Sequence, residues 1–250
     1  MTTFRKFTLA ALAAPLTLGL AACGSTDADG EGATSGEPIA PIAAPEGTSW
    51  TDVVTVSESD GYIIGNPDAP IKLMEYASLT CPACAAFAMS AVPELKTEYV
   101  STGRVSYEMR NQIHGPHDLA LATLVRCGTD ASFHPLSDQV FANQQAVLNP
   151  IFQNAEAVEQ SLTLPENQRL IRLAEIGGFI DFFAARGLSG DQARTCLADV
   201  EAYKTIAENS NTQSQELGVS GTPTFFINGR KIDGNSWAQI EPLLQQAGAR

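Results

Sequence analysis

The sequence has few basic residues and no long apolar run. Among its 250 residues, 15 are Lys or Arg and 28 are Asp or Glu, which gives a formal net charge of −13. A surface this acidic repels phosphate backbones and argues against a nucleic-acid-binding function. No apolar run reaches the roughly 18 to 20 residues that cross a bilayer, which excludes a multi-span membrane protein.

Nucleotide-binding signatures are also absent. The sequence contains neither a phosphate-binding loop nor a dinucleotide fingerprint. The segment 218–222 approximates the nucleophile elbow of serine hydrolases, but its last position is Thr and a strand follows instead of a helix. The sequence therefore implies no cofactor. What it does contain is 44% apolar residues, enough for a core of one or two domains, and an odd number of cysteines, five.

The first 22 residues have the pattern of an export signal. A basic pair at positions 5 and 6 precedes an apolar stretch over 7–20, which is too short for a transmembrane helix and typical of a signal peptide. The stretch ends in Leu20-Ala21-Ala22-Cys23-Gly24, which resembles the bacterial lipobox, where the cysteine is acylated. The alternative is an ordinary signal peptide with an incidental cysteine. We expect a lipoprotein signal over 1–22 and a lipid anchor on Cys23 in the bacterial envelope, facing the periplasm or extracytoplasmic space.

Residues 23–49 form an acidic segment rich in Gly, Ser, Ala and Pro. The segment has no basic and no aromatic residue. It can bury too little apolar area to offset the entropy lost on ordering. We therefore predict a flexible tether over 23–49, with the folded part beginning near Trp50.

The rest of the chain alternates strand and helix patterns around a helical block. Apolar runs predict strands over 71–76 and 104–110, with a helix over 85–99 between them. Asn228-Gly229 is a strong hairpin signal after a third strand over 221–227. The order predicts an α/β fold with an all-helical insertion. We assign a first α/β part to 50–115, the insertion to 116–200 and the second α/β part to 201–250.

Cys81 and Cys84 form a C-x-x-C pair at the junction of a strand and a helix. A thiol at a helix N-terminus faces unpaired backbone N–H groups, which favour the thiolate needed for thiol–disulfide exchange. Zinc sites use the same spacing, and His114 and His117 could supply the remaining ligands. They lie much further from Cys84 than the loop of a zinc finger allows, and the sequence has no second C-x-x-C pair. Exchange chemistry is therefore favoured, with no metal.

Glu75 and the pair Thr222-Pro223 each allow two interpretations. Glu75 lies inside an apolar strand six residues before Cys81, where a buried acid could relay the proton of Cys84. The alternative is a surface-facing Glu on an edge strand. Thr222-Pro223 lies just before a Phe-rich strand, where it supports the exchange interpretation, and the alternative is a trans turn proline.

Two segments of the chain resemble DsbA-type thiol:disulfide oxidoreductases. They are 75–84, EYASLTCPAC, and 221–229, GTPTFFING, with the helical block between them. The resemblance covers about residues 60–248 and implies a thioredoxin fold with an inserted helical domain. In one respect the sequence departs from DsbA itself, because Ala83 stands where DsbA has His. Such a His can stabilise the thiolate, so we expect a less oxidising disulfide here.

The resemblance also implies roles for individual residues. Cys81 would be the exposed nucleophile, Cys84 its buried partner and Glu75 the buried acid. Pro223 would be the cis-proline beside the active-site pair, and the backbone of Thr222 would pair with a substrate strand.

Cys127 and Cys196 are the two cysteines left over. With Cys23 acylated and Cys81 and Cys84 in the active site, the remaining number is even, and an exported protein meets an oxidising compartment. We predict a structural disulfide between Cys127 and Cys196. Two buried free thiols are the alternative.

These features predict an envelope enzyme that exchanges disulfides with the cysteines of exported proteins. Whether it acts as oxidase, reductase or isomerase stays open, and so does the membrane partner that resets its redox state. The tether has no heptad pattern, so we expect a monomer. The rival is a binding protein that captures a soft metal such as Cu(I) with Cys81, Cys84 and a histidine.

Replacing the proposed lipidation site tests the anchor. Cys23→Ser should move the protein from the membrane fraction to the soluble fraction, because the acyl chains have no other attachment site at the lipobox. Fractionation with an antibody against the protein measures this. Unchanged membrane association of the variant would rule out lipid attachment at Cys23.

Overall fold

The structure is a computed structural model that describes residues 36–250. The predicted signal peptide over 1–22 and the lipidation site Cys23 lie outside the described residues. Within 36–250, no helix combines the length and the apolar character that crossing a membrane requires.

Six strands of the described chain form one mixed sheet. Their spatial order is β1-β2-β4-β3-β5-β6, and only β3 and β4 run parallel. A parallel central pair joined by a helical crossover, with antiparallel strands on both sides, is the arrangement expected of an α/β layer. The strands are β1 (Val54–Val56), β2 (Tyr62–Gly65), β3 (Ile71–Ala77), β4 (Val105–Asn111), β5 (Thr224–Ile227) and β6 (Arg230–Lys231).

Strand β3 lies at the centre of the sheet, between β4 and β5. Leu73 and Tyr76 on this strand are completely buried. A strand covered on both faces takes a nearly continuous apolar run, which is why the pattern over 71–76 predicted it correctly. Strand β2, by contrast, was not predicted from the sequence.

The crossover between β3 and β4 is a broken helix, where the sequence predicted one kinked helix over 85–99. Helix α1 spans Pro82–Ser90 and α2 spans Val92–Glu94, followed by a π-helical turn over Leu95–Tyr99. The proline at position 93 has no N–H to donate to the helical ladder. The ladder therefore shifts to π-type bonds instead of bending as one rod.

The insertion is all-helical, as predicted. Ser189 caps its last helix by accepting a hydrogen bond from the Gln192 N–H at 3.2 Å. The following helix, α10 (Val200–Leu217), returns the chain to the sheet, and α11 (Trp237–Gln246) ends the fold. The helices of the insertion are α3 (Pro116–Val125), α4 (Phe133–Ala142), α5 (Gln144–Gln153), α6 (Ala155–Ser161), α7 (Glu166–Gly177), α8 (Phe179–Ala184) and α9 (Gly190–Ala198).

Aromatic stacking joins the insertion to the sheet. The rings of Tyr62 on β2 and Phe133 on α4 are parallel, with centroids 3.8 Å apart. The Arg126 guanidinium lies over the Tyr62 ring and pairs with Asp60 at 2.7 Å. One continuous apolar core therefore runs from the sheet into the insertion.

The β5–β6 hairpin turns at Asn228-Gly229, as predicted. Both residues have positive φ, 50° and 78°, which a two-residue hairpin turn of this kind requires. The Asn228 side chain accepts a hydrogen bond from the Lys72 N–H at 2.8 Å and thereby ties the turn to β3. Strand β5 begins at Thr224 and not at position 221, because Pro223 has no N–H for the ladder.

Residues 36–49 differ from the flexible tether predicted over 23–49. The Gly36 N–H donates to the Gln246 carbonyl at 2.7 Å, and the Ile42 N–H donates to the Thr102 carbonyl at 2.8 Å. The Trp50 indole donates to the Ile42 carbonyl at 2.8 Å. The composition of the segment predicted flexibility because it has few apolar side chains. Its order comes instead from backbone groups that bond to the domain and from Ile39, which packs against the core.

A disulfide joins Cys127, just after α3, to Cys196 in α9, with Cα atoms 5.9 Å apart. The cross-link spans 69 residues of sequence. In the chain-entropy account, a loop of this length raises the free energy of unfolding by up to about 4 kcal/mol.

Removing this disulfide should destabilise the protein. In a Cys81→Ser, Cys84→Ser background, adding Cys127→Ser and Cys196→Ser should lower the free energy of unfolding by up to about 4 kcal/mol in urea titrations. The background protein with the cross-link intact is the control. Two freely alkylated thiols at 127 and 196, in protein purified without reductant, would contradict the pairing.

Candidate active site

The C-terminal end of β3 delivers the C-x-x-C pair to the start of α1. Cys81 is the N-cap of α1 and Pro82 occupies its first turn, where a missing N–H costs nothing. The Cys81 N–H donates to the Ser78 carbonyl at 3.2 Å, so a tight turn connects strand and helix. Cys81 is half-buried, Cys84 is completely buried, and both carry free thiols.

The surroundings of Cys84 oppose a negative charge. Burial raises the pKa of its thiol well above the usual range, and the nearby acidic groups Glu75 and Cys81 raise it further. Hydrogen bonds with the Ser78 backbone and with Thr222 act in the opposite direction but are weaker. A thiolate that leaves from Cys84 therefore takes up a proton readily.

Glu75 lies in the interior, beside Cys84. Its side chain is 2% exposed, and its strand β3 is paired on both sides, so the alternative of a surface Glu on an edge strand is wrong. Burial raises the pKa of Glu75 to about 8, a short hydrogen bond donated by the Tyr107 hydroxyl lowers it in part, and the charge of Asp138 raises it. Glu75 can therefore hold or release a proton near neutral pH.

The loop before β5 closes over the reactive thiol. The peptide bond between Thr222 and Pro223 is cis, which excludes the trans turn as the alternative. The Cys81 thiol donates to the Thr222 carbonyl at 3.3 Å. Pro223 is buried, whereas Thr222 is half-exposed beside the thiol.

Five of the predicted site residues thus meet at one place: Cys81, Cys84, Glu75, Thr222 and Pro223. Cys127 and Cys196 lie apart from them, in the helical insertion.

Three further polar side chains at this site were missed by sequence reasoning. Tyr107 donates to Glu75, as described. The Gln144 amide, from α5, donates to the carbonyls of Leu79 and Cys81 at 2.9 and 3.0 Å. Asp118, from α3, accepts hydrogen bonds from the loop before Cys81. None carries a local signal, since a Tyr in a strand, a Gln in a helix and an Asp in a first helical turn are all ordinary.

The three histidines lie in different surroundings. His114 is exposed, and its Nε2 lies 3.4 Å from the Thr222 hydroxyl. Burial lowers the pKa of His117, whose ring meets Phe152 edge-on. His134 is fully buried, which lowers its pKa to about 3. Nowhere in residues 36–250 do three or more His, Cys, Asp or Glu side chains form a group that could hold a metal ion.

Comparison with known proteins identifies the family of this chain. A sequence model described as thioredoxin matches residues 57–246, most of the chain. The chain belongs to the thioredoxin family. A Rickettsia bellii protein that is named as a protein-disulfide oxidoreductase is similar to this chain. The two are 27% identical over 81% of this chain and 70% of that protein.

Solved structures show the same architecture. The protein-disulfide isomerase of Novosphingobium aromaticivorans is 30% identical and superposes with a TM-score of 0.69 over 73% of this chain and 94% of its own. Wolbachia pipientis alpha-DsbA1 is 22% identical, with a TM-score of 0.63 over 77% and 93% of the two chains. The predicted thioredoxin fold with a helical insertion is therefore confirmed.

The buried acid should make stability depend on pH. Between the usual pKa of Glu75, 4.5, and its folded pKa of about 8, the folded state holds a proton that the unfolded chain has lost. Stability contributed by this group is therefore complete below the lower pKa and is lost as pH rises through the higher one. Relative to Glu75→Gln, the wild-type free energy of unfolding should fall by up to about 1.4 kcal/mol per pH unit in this range.

Urea titrations at several pH values between about 5 and 7.5 measure this slope. The exposed substitution Glu98→Gln is the matched control and should keep the wild-type dependence. Parallel stability curves for wild type and Glu75→Gln would mean that Glu75 is ionised in the folded protein.

Proposed function

We propose that this chain is a protein thiol:disulfide oxidoreductase whose reacting groups are Cys81 and Cys84. The observation that carries the proposal is the pairing of a half-exposed thiol at a helix N-terminus with a buried thiol whose pKa is raised. Such asymmetry separates an attacking group from a resolving group. The names of the Rickettsia bellii and Novosphingobium aromaticivorans proteins support the same chemistry.

In the oxidising direction, a substrate thiolate attacks the Cys81 sulfur of the Cys81–Cys84 disulfide. The S–S bond breaks, and Cys84 leaves as a thiolate. A second substrate thiolate then attacks the substrate sulfur of the mixed disulfide and releases Cys81. Two electrons pass from substrate to enzyme, and the substrate becomes a disulfide. Run backwards, the same steps reduce a substrate disulfide.

Glu75 supplies the proton that Cys84 takes up on leaving. Its pKa of about 8 allows it to be protonated at neutral pH and to exchange that proton. In the reverse direction the carboxylate accepts the proton as the Cys84 thiol becomes nucleophilic. Since Cys84 is fully buried, a proton donor that is itself buried is well placed for this transfer.

Thr222 and Pro223 hold the substrate. The Thr222 carbonyl lies at hydrogen-bonding distance from Cys81, so an extended substrate chain that pairs with this backbone brings its sulfur to Cys81. Pro223 has no backbone N–H, so its own position carries no donor that would compete with a substrate strand for the Thr222 backbone.

The proposed place of action of the enzyme is the bacterial envelope. The protein is anchored in the bacterial envelope by lipid on Cys23 and acts on cysteine-containing exported proteins as a monomer. The Cys127–Cys196 disulfide is structural. A membrane redox partner resets Cys81 and Cys84, and the potential of that pair relative to the partner determines the direction of net transfer.

Substituting one cysteine at a time separates attack from resolution. With a disulfide-containing peptide, Cys84→Ser should accumulate a mixed disulfide through Cys81, because no second thiol resolves it. Cys81→Ser should form no adduct and should lose exchange activity. Non-reducing electrophoresis and mass mapping of the linked cysteine measure both results.

The double variant Cys81→Ser, Cys84→Ser is the control for adducts through other cysteines. If Cys84→Ser captures no peptide and the wild type instead binds Cu(I) tightly, the exchange mechanism is wrong and the metal-binding function replaces it.

A further inference from the structure

Asp118 is a buried acid that the exchange mechanism does not use. It lies in the first turn of α3, and its side chain is 1% exposed. Its carboxylate accepts hydrogen bonds from the Ser78 hydroxyl at 2.7 Å, the Leu79 N–H at 3.0 Å and the His114 N–H at 2.9 Å. Three donors from outside its own helix surround one carboxylate, so Asp118 is more than an acid that stabilises a helix N-terminus.

The first two donors belong to the loop that delivers Cys81. The Ser78 hydroxyl also accepts a hydrogen bond from the Thr80 N–H at 3.1 Å, and the Ser78 carbonyl accepts one from the Cys81 N–H at 3.2 Å. Asp118 therefore holds the whole of the short turn between β3 and α1. A shift of its carboxylate would change the spacing between this turn and the loop that it faces.

The third donor belongs to the loop that faces Thr222. The His114 backbone is held by Asp118, and the His114 imidazole lies 3.4 Å from the Thr222 hydroxyl. Thr222 in turn accepts from the Cys81 thiol at 3.3 Å. The hydrogen bonds thus form a closed circuit around the site, from Cys81 through Thr222, His114 and Asp118 to Ser78 and back to Cys81.

The circuit is suited to a carboxylate. A carboxylate is acceptor-only and can receive all three donors, whereas an amide in its place would turn a donor toward at least one of them. A buried N–H without an acceptor is destabilising, so the loops would move apart to reach other partners. The separation of Cys81 from Thr222 therefore depends on the charge state and shape of one side chain.

We propose that Asp118 is a positioning residue for substrate exchange. Its carboxylate holds the Cys81 loop and the His114 loop together, so that His114 rests on Thr222 and fixes the gap in which a substrate strand pairs. This role rests on the proposed function. Asp118 affects the exchange rate of substrates that must pair with the Thr222 backbone. It affects much less the rate of a small dithiol, which contacts only the Cys81 sulfur.

The experiment measures exchange with two substrates for each variant. Asp118→Asn and His114→Ala should each lower kcat/KM for a cysteine-containing peptide by about tenfold, the order of one lost hydrogen bond. Reaction with dithiothreitol should stay within about twofold of the wild type, because it has no strand to pair. Since both substitutions interrupt the same circuit, the double variant should lose no more than the more severe single variant.

Ser137→Ala is the matched control, since Ser137 is a buried residue of the insertion whose hydroxyl has no hydrogen-bond partner within residues 36–250. It should behave as the wild type. Additive losses in the double variant, or equal losses with dithiothreitol and peptide, would overturn the positioning role.

If Asp118→Asn does not fold, His114→Ala still tests the proposal, because His114 is exposed and its truncation leaves the core intact. His114→Ala alone must then lower peptide exchange selectively, and a wild-type rate would overturn the proposal. A wild type that exchanges with dithiothreitol but with no peptide would instead contradict the proposed function, and the positioning role with it.

Discussion

The burial of Glu75 and Cys84 between the central strand and α1 is the constraint on which the rest of the site depends. Removing both groups from water raises the pKa of each, so both favour their protonated forms in the interior while Cys81 lies half-buried at the surface. This difference between two cysteines one helical turn apart requires a strand paired on both sides and a helix that begins at Cys81. Burying a carboxyl in this way opposes folding above its usual pKa, and the apolar core must offset that penalty.

The helical insertion is part of the active site and not an appendage to the sheet. It supplies Asp118 from α3 and Gln144 from α5, and both side chains bind the turn that precedes α1. The same insertion packs Phe133 on Tyr62 and continues the core of the sheet. The reactive turn is therefore held from one side by β3 and from the other by helices that are distant in sequence.

The reactive thiol and the N-terminal segment of the domain lie at opposite ends of the sheet. Cys81 follows the C-terminal end of β3, whereas Ile42 contacts Thr102, just before the start of β4. Because β3 and β4 are parallel, these two places lie at opposite ends of the sheet. The segment that enters the domain from its N-terminal side therefore leaves the exchange site open.

The sequence by itself determined the features that depend on local backbone chemistry. Continuous apolar runs indicated β3 and β5, Asn228-Gly229 the hairpin, and Cys81 and Thr222-Pro223 the two loops of the site. Each rests on residues close together in the chain. Only the tertiary structure decided which distant groups meet: Tyr107 on Glu75, Asp118 across 40 positions on Ser78, and Gln144 across 63 on Cys81. It also decided that residues 36–49 pack on the domain. Such contacts are formed by ordinary side chains whose partners are selected by burial, and burial exists only once the chain has folded.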